Sequence, residues 1–375
     1  MVGHLRRVTR PISNSILRAQ WLMSAGREYS ARRSAAALRM ESQRSEFYRR
    51  VWRDAADALG ADCRSVGRGI LEFRHGTKRT RVYANETEAD DPVTVRLTDD
   101  KVSVHTLLAG HGLPVPDHLE FTLATMESAA RFMDRLDASY VVKAARSTGG
   151  GKGVTTGIRN GSDLKKAAVH AAIYARELLI EKQVAGDVYR LLYLDGRLID
   201  TVLRRAPTVV GDDHSTIAEL IERENLSRIG QSGTAQTLIN IDPDLRRTLA
   251  LSGHSLRSVL RDGVAIAVKT ATNDNASRDN FAANGVLSPK ILEASRRAVD
   301  ILKVHLAGVD VVTADPTGSL RGSGGVILEI NARPGYYYHY HRRSPGAAVA
   351  IPVLARMLGI GGHDTAPEIH HDRMP

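Results

Sequence analysis

Residues 324–335 read Gly324-Gly325-Val326-Ile327-Leu328-Glu329-Ile330-Asn331-Ala332-Arg333-Pro334-Gly335, and the run in their middle decides the fold. Side chains alternate faces along a strand. A strand over 326–331 turns Val326, Leu328 and Ile330 one way and Ile327, Glu329 and Asn331 the other. A carboxylate and an amide on one face of an otherwise apolar strand are costly unless something pairs with them. A hard divalent cation is such a partner, because Mg2+ takes oxygen ligands, commonly one or two carboxylates together with phosphates. Upstream, Ala307-Gly308-Val309-Asp310-Val311-Val312-Thr313 reads as a second strand with one carboxylate. The connection over 314–325 contains Asp-Pro-Thr-Gly and Gly-Ser-Gly-Gly, both turn-forming. A hairpin of the two strands brings Asp310 across from Glu329 and Asn331. The same pattern also fits the solvent-facing polar side of an edge hairpin.

A length of 375 residues, at roughly 150 per domain, implies two or three domains. A hydrophobic content of 42% provides for a substantial core. Cys63 is the single cysteine, which excludes an internal disulfide framework and any multi-cysteine zinc centre. No apolar run is long enough to span a bilayer; the expected location is the cytoplasm, with no membrane partner. The net charge of +10 suits an anionic partner. Residues 1–53 hold 12 arginines and few acids. That composition reads as a transit peptide or as a basic helical surface. The pattern runs unbroken into the apolar stripe Phe47, Tyr48, Val51, Trp52, which favours the surface. The arm lacks interleaved aromatics and any reader motif, so nucleic acid is not an expected partner.

In chain order, 41–59 reads as a helix closed by Gly60, with Phe47, Val51, Ala55 and Leu59 at four-residue spacing. Short strands follow at 70–73, 80–83 and 92–97. Asp99-Asp100-Lys101 opens a helix through Leu108, and 126–136 is another. Residues 140–144 form a strand leading into a glycine-rich loop. Ser162 caps a helix over 163–176. Strands are expected at 178–184, 189–194 and 198–203, a short helix at 216–224, and a polar, irregular region over 225–285 broken by 264–269. An amphipathic helix over 289–306 feeds the Asp310 strand.

The loop Ser147-Thr148-Gly149-Gly150-Gly151-Lys152-Gly153 suits a phosphate, since glycines let backbone N–H groups approach an anion and Lys152 adds charge. It is neither a Walker loop nor a dinucleotide fingerprint, and a flexible surface turn reads equally well. Lys143 sits inside an apolar strand, where an ammonium must snorkel or meet an anion. Lys101 occupies a first helical turn, where the dipole disfavours a cation without an anion nearby. Glu181-Lys182-Gln183-Val184 leaves a strand for a loop, an edge that offers backbone groups to an adenine, with Asp187 placed for ribose hydroxyls.

This order and spacing over residues 98–345 resemble the ATP-grasp carboxylate–amine ligases. Within them, Gly186-Asp187-Val188-Tyr189-Arg190-Leu191-Leu192 and Arg205-Ala206-Pro207-Thr208-Val209-Val210-Gly211-Asp212-Asp213 are similar to the ATP-grasp domain of cyanophycin synthetases. The resemblance implies an α+β ATP-grasp fold, two α+β subdomains (98–180 and 181–345) gripping a nucleotide. A basic helical arm (1–40) and a small N-terminal α/β domain (41–97) precede it, and a C-terminal helix and tail (346–375) follow. It implies ATP and Mg2+ (or Mn2+) as cofactors. Lys101 and Lys143 would bind phosphates, the 149–153 loop would close over them, and Glu181, Lys182, Gln183 and Val184 would hold the adenine. Asp310, Glu329 and Asn331 would hold the metal. Arg190, Arg205 and Lys269 would meet phosphates or an acyl-phosphate. Arg333, Gly335 and His339 are candidates for substrate contact. The sequence departs from cyanophycin synthetases at 272–280, and their large N-terminal domain and second half are absent, which puts polymer synthesis in doubt.

The implied reaction is ATP-dependent peptide or amide bond formation between a small carboxylate and an amine, a short peptide included, through an acyl-phosphate. An ATP-grasp phosphotransferase is the alternative, and a basic nucleic-acid-binding protein the remote one. A homo-oligomer is compatible with the resemblance.

Overall fold

The computed structural model describes residues 15–32, 34–146, 151–231, 233 and 235–361. Ser147, Gly149 and Gly150, expected in the phosphate loop, lie outside the described residues.

Two helices open the chain. Ser15–Arg32 buries Trp21, whose indole N–H donates to Ala172 O at 2.9 Å. Ala35–Ala58 starts at Ser34, whose hydroxyl accepts from Ala37 N. Its stripe Phe47, Tyr48, Val51, Trp52 and Ala55 is buried, as the three- and four-residue spacing predicts. The stripe covers a four-stranded antiparallel sheet of β1 (Asp62–Ser65), β2 (Ile70–His75), β3 (Lys78–Tyr83) and β4 (Glu86–Thr87). Leu71, Phe73 and Val82 face the helix.

The strand expected at 92–97 is a helix, Pro92–Thr98. Asp91 accepts from Val93 N and Thr94 N, and Pro92 fills the first turn. A capping carboxylate followed by a proline at a position that needs no N–H outweighs three β-branched residues.

The first large sheet holds β5 (His118–Phe121), β6 (Tyr140–Ala144), β7 (Thr155–Ile158) and β8 (Leu178–Lys182) in the order β5-β8-β6-β7. Every residue of β6 is buried, Lys143 included. The helix Gly161–Ala171 covers this sheet and is capped by Asn160, two residues before the expected Ser162.

The second large sheet contains β9 (Asp187–Leu194) and β10 (Arg197–Arg204). A ribbon of β11 (Thr208–Val210) and β12 (Ala265–Ala267) stands apart from it. The sheet is completed by β13 (Asn280–Ala282), β14 (Leu306–Thr313) and β15 (Val326–Asn331), in the order β13-β10-β9-β14-β15. One face packs Leu191, Val309, Ile327 and Ile330 against Val104 and Leu108 of the helix Lys101–Gly110 and against Ile291 and Val299 of the helix Pro289–Leu302. The region expected to be irregular holds two helices. Ile217–Gly230 runs past residue 224, and Pro243–Leu251 is opened by Asp242, the same Asp-Pro signature as Asp91-Pro92. Among the described residues no helix is long and apolar enough to cross a membrane.

β14 and β15 form the expected hairpin, with one correction to the faces. Asp310 pairs with Glu329, yet Val311 pairs with Ile327, so Leu328 is an extra residue in a β-bulge. The bulge breaks the two-residue period. Ile327 joins Ile330 in the core, and Glu329 does not share its face.

Candidate active site

Asp310 lies on β14, with Arg190 opposite on β9 and Glu329 opposite on β15. Arg190 donates to Asp310 from Nε at 2.5 Å and from Nη2 at 2.8 Å, with both side chains buried. Desolvation opposes the Arg190 charge, but Asp310 outweighs it and raises the guanidinium's pKa. Arg204, two residues beyond Val202 on the same face of β10, brings Nη1 to 4.0 Å from Asp310 Oδ2. Its guanidinium lies 4.1 Å from the Tyr338 ring centroid, a cation–π contact.

Glu329 is where the elements converge. Burial alone would raise its pKa; Lys101, Lys143 and Arg190 reverse this and hold the carboxyl at about 2. Lys101 Nζ is 3.2 Å from Glu329 Oε1. The buried ammonium in a helical first turn thus has its anion. Asn331 follows on the same face, paired in register with Gly308. Lys143 Nζ is 2.7 Å from Glu181 Oε1, while Glu181 Oε2 is buried and makes no hydrogen bond.

His105, one turn beyond Lys101, is a member of this cluster that the sequence reading missed. Burial, and next the charge of Lys143, lower its pKa to about 3, so the ring is neutral. The i, i+4 offset from Lys101 was the available signal. Arg204 was missed in favour of its neighbour Arg205. The structure turns Arg205 outward, stacked over Phe281 at 5.0 Å, and does not bring it to Asp310.

Lys269 is buried but bonded elsewhere: Nζ is 2.6 Å from Asp242 Oδ2 and 2.8 Å from Asp274 Oδ2. The neighbouring Asn273 accepts from Arg204 Nη2 at 3.4 Å. It also crowds the glycine segment: a Cβ on Gly151, at φ +66°, would sit 1.7 Å from Asn273 Nδ2. Lys152 is exposed beside it, and Gly153 (φ +76°) packs on Tyr174.

Along the expected adenine edge, Lys182 N donates to Asp117 O and Gln183 N to Ser139 O, both at 2.8 Å. Gln183 Oε1 accepts from Gly157 N at 2.7 Å. Val184 is half-buried, and Asp187 is exposed at the start of β9 opposite Thr313. Of the candidate substrate contacts, Arg333 is bonded to Asp99 at 2.6 Å and Glu86 at 3.0 Å. Gly335 lies against the Tyr48 hydroxyl. His339 is fully buried, with Nδ1 2.7 Å from Asp200 Oδ2.

Two carboxylates in register and an amide two residues on form an all-oxygen set that fits a hard divalent cation. Among the described residues no three His, Cys, Asp or Glu side chains gather to hold a metal, so the third donor would be the Asn331 amide.

No protein-family model matches the chain. The chain is 28% identical over 312 residues to the cyanophycin synthetase of Trichormus variabilis, covering 77% of this chain and 34% of that protein. It is 26% identical over 283 residues to a bifunctional glutathione biosynthesis protein of Streptococcus mutans, covering 73% of this chain and 37% of the relative. The crystal structure of a bifunctional glutathione synthetase from Pasteurella multocida aligns with a TM-score of 0.53 at 20% identity, over 82% of this chain and 43% of the other. The chain therefore spans little more than a third of the length of the curated relatives it matches. It is a relative of the ATP-grasp ligases and has the ATP-grasp fold.

Proposed function

We propose that this protein is an ATP-dependent ligase joining a small carboxylate to an amine through an acyl-phosphate. The observation that carries the reading is the cluster around Glu329. Lys101 from a helix lies 3.2 Å from its carboxylate. Lys143 from the first sheet, paired with Glu181, and Arg190 from the second, paired with Asp310, are near enough for their charges to lower its pKa. Cations drawn from three elements onto one oxygen-bearing face suit a polyanion held between two lobes.

Phosphoryl transfer needs mainly positioning and charge neutralisation. Lys101 and Lys143 would meet the nucleotide's phosphates. The segment 181–184 and Asp187 would take the base and ribose. Asp310, Glu329 and Asn331 would hold Mg2+, which when bound neutralises charge on the transferring phosphoryl group. Arg190 and Arg204 would meet the acyl-phosphate and then the tetrahedral oxyanion, where preorganised donors lower the barrier to amine attack. The 149–153 loop would close over the phosphates and exclude water from the intermediate; the close approach of Gly151 to Asn273 supports this reading.

The test is phosphate release from ATP and Mg2+ with panels of acids and amines, with products read by mass spectrometry. A ligase releases phosphate steadily only with both co-substrates. A phosphorylated acid accumulating without an amine would instead identify a phosphotransferase.

A further inference from the structure

The geometry assigns to His105 the role of a positioning residue: its Nε2–H holds the carbonyl of Leu328, the extra residue of the β15 bulge, and thereby aims Glu329 at Lys101. What Glu329 then holds rests on the function proposed above; the positioning itself does not.

Leu328 has no partner in the β14–β15 register, since Asp310 takes Glu329 and Val311 takes Ile327. β15 is an edge strand, so groups that turn outward from it need partners elsewhere. Two contacts close that edge: Ile327 N donates to Pro114 O at 2.9 Å, and His105 Nε2 lies 3.1 Å from Leu328 O. A carbonyl only accepts, so Nε2 carries the proton. His105 is 1% exposed, which leaves no room for water to replace it. Its Nδ1 is buried and makes no hydrogen bond. The ring's polar contact is thus the Leu328 carbonyl, and the edge of the ring against His118 at 4.8 Å fixes its plane.

The bulge matters because of what lies on either side. Ile327 and Ile330 are both fully buried in the same core. On a regular strand Ile327 and Glu329 share a face, and burying the first would draw the carboxylate into the core. The extra residue uncouples them. One helix supplies both halves of the device: Lys101 to the carboxylate and, a turn later, His105 to the bulge carbonyl.

The test compares His105→Leu, which removes the donor, with His105→Gln, whose amide N–H reaches the Nε2 position. Mn2+ titrations by electron paramagnetic resonance, with a non-hydrolysable ATP analogue and the full chain, give the metal Kd; melting temperatures report the fold. His105→Leu should weaken Mn2+ roughly 10- to 100-fold, the loss typical of an outer-shell partner, and His105→Gln should keep most of the affinity. Equal losses in the two variants, or none, overturn the assignment. If the Leu variant does not fold, His105→Asn, too short to reach the carbonyl, takes its place. A crystal structure of the donor-less variant decides the case even if the wild type binds no Mn2+, a result that would sink the ligase reading alone. The bulge should be lost and Glu329 drawn away from Lys101; an unmoved bulge and an intact Lys101–Glu329 contact would refute the role.

Discussion

Arg190 and Asp310 face each other across the β9–β14 ladder as a two-bond fork, 7% and 5% exposed. Removing one partner of a buried pair leaves a desolvated charge, which typically costs about 3–5 kcal/mol. Asp310→Ala is expected to lose stability on that scale in urea unfolding, and turnover with it. A loss below about 1 kcal/mol, the scale of an exposed pair, would show that water reaches the fork.

Arg204 and Arg205 separate by face. Arg204→Ala should lower kcat by about 10²- to 10³-fold, as for removal of an oxyanion donor. Arg205→Ala should change it little. Steady-state kinetics of the two variants side by side check this, and the reverse order would return the role to Arg205.

Glu329 gives a pH signature. Its pKa is lowered in the fold from 4.5 to about 2, so between these values the unfolded chain binds the proton and the native state does not. Stability from this group is fully present above pH 4.5 and is lost as pH falls towards 2. Unfolding of Glu329→Gln should show a shallower acid dependence than wild type in that window; identical slopes would contradict the cationic surroundings.

Gly151 and Asn273 predict a suppressor. Gly151→Ala should raise the KM for ATP, because the new methyl strikes Asn273. Adding Asn273→Gly should recover part of the loss. The remainder reflects the left-handed φ of +66°, worth roughly 1–2 kcal/mol for a residue with a Cβ.

Lys269→Met should act on stability first. It leaves Asp242 and Asp274 facing each other without their cation, and removing one buried partner costs about 3–5 kcal/mol. Activity per folded molecule should fall less than for Arg204→Ala, which chemical denaturation paired with kinetics resolves.

The sequence made the Asp310 hairpin legible because two apolar strands, each with an isolated polar position, leave few arrangements. The bulge was not legible: nothing in Val-Ile-Leu-Glu-Ile-Asn marks Leu328 as the residue that steps out of register. Glu329 and Asn331 still share a face because both lie beyond it. That Arg204 rather than Arg205 turns toward Asp310 was illegible for a related reason, since the parity of β10 is set by its pairing with β9 rather than by neighbours in the chain. The helices at 92–98 and 243–251 were masked by their β-branched or polar residues, although Asp-Pro announced both. Lys269 was expected to meet phosphates; its pairing with both Asp242 and Asp274 depends on bringing residue 242 back beside 269–274, which the sequence does not announce.

The stripe of the helix Ala35–Ala58 and the strands β2 and β3 share one core with Tyr336, Tyr337, Val353 and Leu354. Those partners are among the last described residues to leave the ribosome. The early helix and sheet therefore lack these partners until residues 336–354 have been made, at roughly 5–20 residues per second. Nascent chains stalled before residue 336 should stay sensitive to protease in this first segment and should recruit holding chaperones there.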